Sequence, residues 1–345
     1  MSLLYAGAEP PEQTRVIAVV DPSQVGEARR AVAALGSQIM LDQEAGGRVA
    51  LVVTELASNV ARHGGGGSLL VRAFAERTAI EVLAIDSGPG LGDVERAMRD
   101  GFSTGGTSGH GLGAVRRMSD VFDVFSRHGA GTAVLSRMLN LRPGGPANGN
   151  GLEVGVVNAP APGERLCGDG WHQMRGERGT SFLMVDGLGH GPSAHDAARC
   201  AIEVCKQNAG RSPTELMTAM HSALRSTRGA AVAIAELDDA GNSVRFVGVG
   251  NISCSVTSNE GSRSLASMNG IVGHEMRRVN EFTIPFENGA TLVAHSDGLN
   301  TRWNLGQYPG IRPRHPALAA ALLYRDHVRG RDDATVLVVR RKLAA

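Results

Sequence analysis

The sequence predicts an α+β chain in two parts, an antiparallel sheet with helices on one face and then two packed sheets with helices outside. Three observations carry this. Segments of helical and of strand periodicity alternate from residue 25 to 138. The stretch 140–151, Asn-Leu-Arg-Pro-Gly-Gly-Pro-Ala-Asn-Gly-Asn-Gly, has nothing to pack. Beyond it come mostly strands, interrupted by two adjacent helices. Domains are expected at 1–140 and 152–345, with 141–151 as a flexible linker.

Residues 1–14 read as a loose leader. Ser23 is a candidate N-cap, and Val25, Val32, Leu35 and Ile39 mark an amphipathic first helix. Val49, Val52, Val53, Leu56 and Val60 recur at helical spacing and predict a second. Gly64 to Gly67 break it, and strands follow at 68–75 and 79–85, then a hairpin at 121–126 and 132–138. Past the linker, strands are expected at 153–158, 181–185, 231–237, 244–250, 253–257, 282–285, 291–295 and 335–340. The helices are expected at 192–209 and after Ser212-Pro-Thr-Glu215, a capping box with proline in the first turn.

Composition narrows the function. At 345 residues with 42% apolar and 20% charged residues, the chain can bury two cores. A net charge of +1 offers no electrostatic case for nucleic acid or membrane. Lysine occurs only at Lys206 and Lys342, so the first part has no lysine for a P-loop or a kinase strand. The cysteines at 167, 200, 205 and 254 have no metal-ligand spacing, which points to a reducing cytoplasm. No signal peptide and no apolar run of membrane-spanning length is visible.

Two sets of residues carry chemistry. In the first part, Glu55 and Asn59 lie one helical turn apart on a common face. That pairing suits a general base and a magnesium-ligating oxygen. Asp86 ends an apolar strand before Gly88 and Gly90, and Gly109, Gly111 and Gly113 open a helix where backbone N–H groups can approach phosphates. Alone, Asp86 is equally the start of an ordinary turn. In the second part, Asp169, Asp186 and Asp297 lie at predicted strand ends or beside glycines, and Asp332-Asp333 opens the last strand. One Asp-Gly is a common hairpin signal, but several strand-end carboxylates suit two hard divalent cations.

The boxes Glu55-Leu-Ala-Ser-Asn59, Asp86-Ser-Gly-Pro-Gly90, Gly109-His-Gly-Leu-Gly113 and Gly131-Thr132 resemble the GHKL ATP-binding fold, and the continuation Gly113-Ala-Val-Arg-Arg-Met-Ser-Asp120 resembles the serine kinases of anti-sigma and stressosome switches. The resemblance implies that Asp86 takes the adenine amino group, Asn59 holds magnesium, Glu55 acts as base and Thr132 supports the adenine end. Gly88, Gly90, Gly109, Gly111 and Gly113 would line the ATP site.

The second part is similar to SpoIIE-type (type 2C-like) serine phosphatases, through Gly168-Asp-Gly-Trp171, Val185-Asp-Gly-Leu-Gly-His-Gly191, Ser296-Asp-Gly-Leu299 and Arg331-Asp-Asp-Ala-Thr335. It implies that Asp169, Asp186, Asp297, Asp332 and the Gly187 carbonyl ligate two Mg2+ or Mn2+ ions, with Asp333 ranked lower. The phosphate-clamping residue stays open, Arg165 being a candidate without a motif.

The two resemblances imply a bifunctional switch acting on STAS-domain antagonists, with a sigma factor and a homodimer as further candidate partners. The alternative is a nucleotide-gated sigma-factor or antagonist-binding module fused to an active phosphatase.

Overall fold

The computed structural model describes residues 12–74, 79–98, 111–139, 151–258, 260–276 and 278–341. Its contacts divide the chain into two units. The first comprises Met1–Ala147 with Leu305–Arg325, and the second Asn148–Asn304 with Asp326–Ala345.

In the first unit, β1 (Arg15–Val19) leads to the helices α1 (Val25–Gln38) and α2 (Gln43–His63). There follow β2 (Gly67–Phe74), β3 (Ala79–Asp86), the one-turn α3 (Val94–Ala97), α4 (Gly111–Met118), β4 (Val121–Ser126) and β5 (Thr132–Leu139). The five strands form one antiparallel sheet in the order β1-β2-β3-β5-β4. Val32 and Leu35 of α1, Val49 to Val60 of α2 and Leu112 and Val115 of α4 bury one face of that sheet.

Two local expectations change. The residues at 15–19, for which no element is expected, form a strand paired with β2. Ser23 is not the cap. The Asp21 carboxylate accepts from Ser23 N at 2.8 Å, and Gln24 closes a capping box over a 3-10 turn, Pro22–Gln24, ahead of α1. Asp fits this position because its carboxylate reaches back to orphan N–H groups. The linker at 141–151 lies outside the described residues except for Gly151, as does Gly109.

The opposite face of the sheet is also buried. In a strand, alternate residues share a face. Leu70, Leu83 and Leu135 are cross-strand neighbours pointing away from the helices, and all are within 2% of full burial. The next row carries charge. Glu81 is 1% exposed and Arg72 3%, and the Glu81 carboxylate accepts from Arg72 Nη2 at 3.0 Å and Arg137 Nε at 2.9 Å. Both guanidiniums stack against the Phe74 ring, at 4.4 and 5.2 Å from its centroid.

The segment Leu305–Arg325 is an arm of this unit, inserted in the chain beyond residue 304. His315 N donates to Asp123 Oδ2 at 2.6 Å, and Arg314 Nη1 to Asp123 Oδ1 at 3.2 Å. Asp123 alternates with Val124, which faces the helices, so these bonds hold the arm on the second face. Arg127 Nη1 donates to Gln307 O at 2.9 Å. The arm carries α7 (Pro316–His327), whose residues from Pro316 to Leu323 are all buried. The sequence reading had no helix there, because a segment apolar on every side shows no helical period.

In the second unit, the strands in chain order are β6 (Leu152–Ala159), β7 (Asp169–Arg175), β8 (Gly179–Gly187), β9 (Ala230–Asp238) and β10 (Ser243–Val249). Then come β11 (Ser253–Ser258), β12 (Gly261–Leu265), β13 (Phe282–Pro285), β14 (Thr291–His295) and β15 (Ala334–Arg341). They make two antiparallel sheets, β13-β10-β9-β8-β7 and β12-β11-β14-β15-β6. Phe182, Phe246 and Met184 of the first sheet meet Leu292, Leu337 and Val256 of the second in a shared core. The helices α5 (Pro192–Gln207) and α6 (Pro213–Ala223) cover the outer face of the first sheet, with Ala198, Cys205, Leu216 and Met220 against Leu183 and Ile234. The chain is thus the α+β protein of the sequence reading, an α/β sandwich and a two-sheet sandwich.

Burial pushes the Glu81 carboxyl upward, but Arg137 and Arg72 together hold it below its ordinary value. Its stabilisation is therefore complete above the ordinary carboxylate range and is lost as pH falls through the lowered value. Glu81→Ala leaves two guanidiniums facing a carboxylate that is gone. The expected cost is about 3–5 kcal/mol, the usual penalty for breaking a buried ion pair, read from urea unfolding of the full chain at pH 7.

Candidate functional sites in the two units

In the first unit the site is built around Asp86, the last residue of β3. Its Oδ1 accepts from Gly88 N at 3.0 Å and Thr132 N at 3.2 Å. Thr132 Oγ1 lies 2.9 Å from Ser126 Oγ, which accepts from Leu91 N at 2.7 Å. Burial raises the Asp86 carboxyl, while these N–H donors work against that rise. Gly64, the C-cap of α2, lies so close that a Cβ there would be 2.6 Å from Asp86 Cβ. The end of α2 therefore abuts the aspartate, and Asn59 lies just over one turn back from Gly64 with its carbonyl accepting Gly64 N.

Glu55 and Asn59 are both half-buried on α2, one turn apart. Gly111 and Gly113 occupy the first turn of α4, which packs against α2 through Leu112 and Val115. Gly90, at φ 71°, lies where a Cβ would be 2.0 Å from Arg127 O, so only glycine serves. The structure thus brings Asp86, Gly88, Gly90, Thr132 and the C-terminal half of α2 together.

In the second unit Asp169 and Asp186 are direct partners across the β7–β8 pair. Like charges so placed repel. The turn after β14 brings Asp297-Gly298 against the start of β15, where a Cβ on Gly298 would be 1.9 Å from Asp333 O. Asp333 Oδ1 accepts from Ala161 N at 2.8 Å, and its Oδ2 would be 2.6 Å from a Cβ on Gly168, the neighbour of Asp169. Asp332 Oδ1 accepts from Asp333 N at 2.9 Å, and Gly187 N donates to Gly168 O. Burial is the largest cause raising Asp186, to about 9, with Asp169, Asp297, Asp332 and Asp333 adding to it. Asp169 is raised to about 7, again first by burial, with hydrogen bonds from Ser296 and Thr335 opposing.

The donor set fits a hard divalent cation. Every side-chain donor is a carboxylate oxygen, and Asp169 Oδ2 and Asp333 Oδ2 are buried without a hydrogen-bond partner. Among the described residues no group of three or more His, Cys, Asp or Glu side chains is arranged to hold one metal ion. An ion here would complete its shell with backbone carbonyl and water, as magnesium commonly does. Asp333 is buried and aimed at Gly168, whereas Asp332 is half-buried, so the structure gives no reason to rank Asp333 lower.

Several supporting residues carried no signal in the sequence. Asn158 Nδ2 donates to Thr335 Oγ1 at 2.7 Å and Asp169 O at 3.3 Å, and Asn251 Nδ2 to Asp297 Oδ2 at 2.8 Å. Neither residue belongs to a motif, and only their place beside strand ends marks them. Arg165, the candidate clamp, has interactions of its own and nothing places it on a phosphate.

A strand-end carboxylate close to glycine backbone in one unit and facing carboxylates in the other are compatible with a histidine kinase-like ATPase domain joined to a type 2C-like phosphatase domain. The comparisons agree. Residues 18–138 match the Histidine kinase-like ATPase domain family, and residues 176–342 match the Stage II sporulation protein E (SpoIIE) family. Over 89 residues the chain is 37% identical to the Serine/threonine-protein kinase RsbT of Bacillus subtilis (strain 168), covering 25% of this chain and 67% of the relative. It is 22% identical over 150 residues to the Phosphoserine phosphatase RsbX of the same organism, covering 43% of this chain and 75% of the relative. A solved structure from work on the bacterial stressosome, a modular system adapted to control secondary messenger signaling, superposes with a TM-score of 0.51 at 28% identity. That match covers 55% of this chain and 99% of the other. The chain belongs to the RsbT-like kinase family through its first part and joins that domain to a SpoIIE-type, type 2C-like serine/threonine phosphatase domain. Among the described residues no helix is long and apolar enough to cross a membrane.

Their raised values mean that Asp169 and Asp186 hold more protons in the folded, metal-free protein than in the unfolded chain between roughly pH 4 and 9. The contribution of these two carboxyls to stability therefore falls as pH rises through that window. With a chelator present, the melting temperature is expected to decline across it, and Mg2+ or Mn2+ to restore most at the alkaline end. Asp186→Asn, which removes one of the repelling charges, should flatten the metal-free decline. An equally steep decline in that variant would contradict the assignment.

Proposed function

We propose that the chain is a bifunctional partner-switch regulator, an ATP-dependent serine/threonine kinase and a metal-dependent phosphoserine/phosphothreonine phosphatase acting on STAS-domain antagonists. The kinase part would be 1–140 and the phosphatase part 152–345, joined by 141–151, with the arm Leu305–Arg325 of the second range packing in the first unit. The observation that carries the reading is the pair of unlike centres, a lone acceptor carboxylate in one unit and repelling carboxylates in the other. The kinase and phosphatase names of the two Bacillus relatives, and the stressosome structure, support the choice of target.

In the kinase reading, Asp86 accepts a hydrogen bond from the adenine amino group, its orientation held by Gly88 N and Thr132 N. Gly109, Gly111 and Gly113 present backbone N–H groups to the phosphates, and Asn59 offers its amide oxygen to Mg2+. Glu55, one turn from Asn59, takes the proton of the attacking hydroxyl.

In the phosphatase reading, Asp169, Asp186, Asp297, Asp332, Asp333 and the Gly187 carbonyl hold two Mg2+ or Mn2+ ions. Such ions, when bound, supply charge against the phosphoryl oxygens and an activated water nucleophile. Asp169 and Asp186 are kept facing by strand pairing, Asn158 and Thr335 fix the first, and Asn251 orients Asp297. Pairing costs the empty site repulsion and gives the cations four or more negative neighbours on arrival.

In the full chain, Asn59→Ala should abolish ATP-dependent phosphorylation of a STAS protein while phosphoserine release continues. Glu55→Ala should keep ATP binding and lose about 10²–10⁴-fold in transfer rate, the usual worth of a general base. Wild-type protein that binds ATP and a STAS partner without transferring phosphate would replace the kinase with a nucleotide-gated binding module. Phosphoserine release should stop with a chelator and return with Mg2+ or Mn2+. Release that persists in the chelator would end the metal reading.

A further inference from the structure

The residue that closes the back of Asp86 lies far from it in sequence. Arg325, at the end of the first unit's arm, donates from Nη1 to the main-chain oxygen of Asp86 at 2.5 Å. The approach depends on Gly131. At φ 81°, a Cβ there would lie 2.0 Å from Asp86 O and 2.8 Å from Arg325 Nη1. The arm is fixed upstream by Arg314 and His315 N on Asp123 and by Gln307 O on Arg127, so Arg325 is the last of several fastenings.

We infer that Arg325 is a positioning residue for the nucleotide site: by holding the main chain of Asp86 it sets the carboxylate that accepts from the adenine amino group. This rests on the proposed role of Asp86. The Asp86 side chain accepts from Gly88 N and Thr132 N, and its carbonyl accepts from Arg325 Nη1, so the residue is held at both ends. With the carbonyl released, the strand end can rotate and the carboxylate loses its aim. The positive charge of Arg325 also favours the ionised carboxylate, the form that can accept, against the effect of burial. None of the ATP-site boxes contains this arginine, and the arm lies outside residues 18–138.

The test measures ATP and GTP affinity by calorimetry with Mg2+ on the full chain, for wild type, Asp86→Asn, Arg325→Ala and Arg325→Lys. GTP lacks the adenine amino group, so the ratio of the two affinities reports the aim of Asp86 rather than general integrity. Arg325→Ala is expected to weaken ATP about three- to tenfold, the usual net worth of one intramolecular hydrogen bond, and GTP less. The ratio therefore narrows, and lysine, keeping charge and a donor, falls between. If Asp86→Asn loses ATP while Arg325→Ala keeps the wild-type ratio, the arginine's role is overturned and Asp86 stands. If Asp86→Asn binds ATP as wild type does, the nucleotide reading of Asp86 falls first and the inference with it. Equal loss of ATP and GTP in Arg325→Ala would mean a structural role alone and also overturns it. Should the alanine variant not fold, lysine decides: a narrowed ratio supports the role and a wild-type ratio overturns it.

Discussion

A carboxylate at the end of a buried strand can work only if backbone reaches it, and a side chain in the way prevents that. Both units meet this constraint with glycine. Around Asp86, the backbones of Gly64 and Gly131 lie where a Cβ would strike the aspartate at 2.6 and 2.0 Å. Around Asp333, Gly168 and Gly298 do the same, at 2.6 Å from its Oδ2 and 1.9 Å from its main-chain oxygen. That close approach accompanies the hydrogen bonds that orient each acid, from Gly88 N and Thr132 N to Asp86 and from Ala161 N to Asp333. Replacing such a glycine would move the acid rather than merely loosen a turn.

The two units then use their acids in opposite ways. Asp86 is a single acceptor, raised by burial but relieved by two N–H donors, and it gains from being left alone. Asp169 and Asp186 face each other across a strand pair; after burial, Asp169 makes Asp186 harder to ionise, and Asp333 and Asp332 do the same to Asp169. In the proposed phosphatase, that cost in the free protein is what they would lend to a cation. The buried trio of Arg72, Glu81 and Arg137 shows the contrast, since there the opposite charges sit within the protein itself. Charge in the trio is neutralised internally, whereas the Asp169–Asp186 pair has no counter-charge of its own across the strands.

Much of this was legible in the sequence. The apolar face of α2 appeared as Val49, Val52, Val53, Leu56 and Val60, all of which are buried. The acids Asp169, Asp186 and Asp297 stood out because each lies beside glycine at or near a strand end, and Asp86 because it closes a strand two residues before Gly88; the structure puts them there. What the sequence hid has common causes. The strand β1 is short, at five residues, and adjoined a stretch without pattern. The helix α7 is apolar on all sides for eight residues, so no periodicity marks it. Asn158, Asn251 and Arg325 act through hydrogen bonds to residues distant in the sequence, and local pattern holds no trace of such pairs.

The arm has one more consequence, for the way the molecule can be taken apart. The first unit is Met1–Ala147 plus Leu305–Arg325, and the second is everything between and after. The chain therefore passes from one to the other three times rather than once. Truncation at the Pro- and Gly-rich stretch yields a first fragment without the arginine that braces Asp86 and without the helix counted among its buried residues. The same cut leaves the second fragment carrying an apolar segment that belongs elsewhere, a liability for solubility. Expression of separate halves would compare two damaged proteins. Inactivating one centre at a time by point substitution keeps both whole.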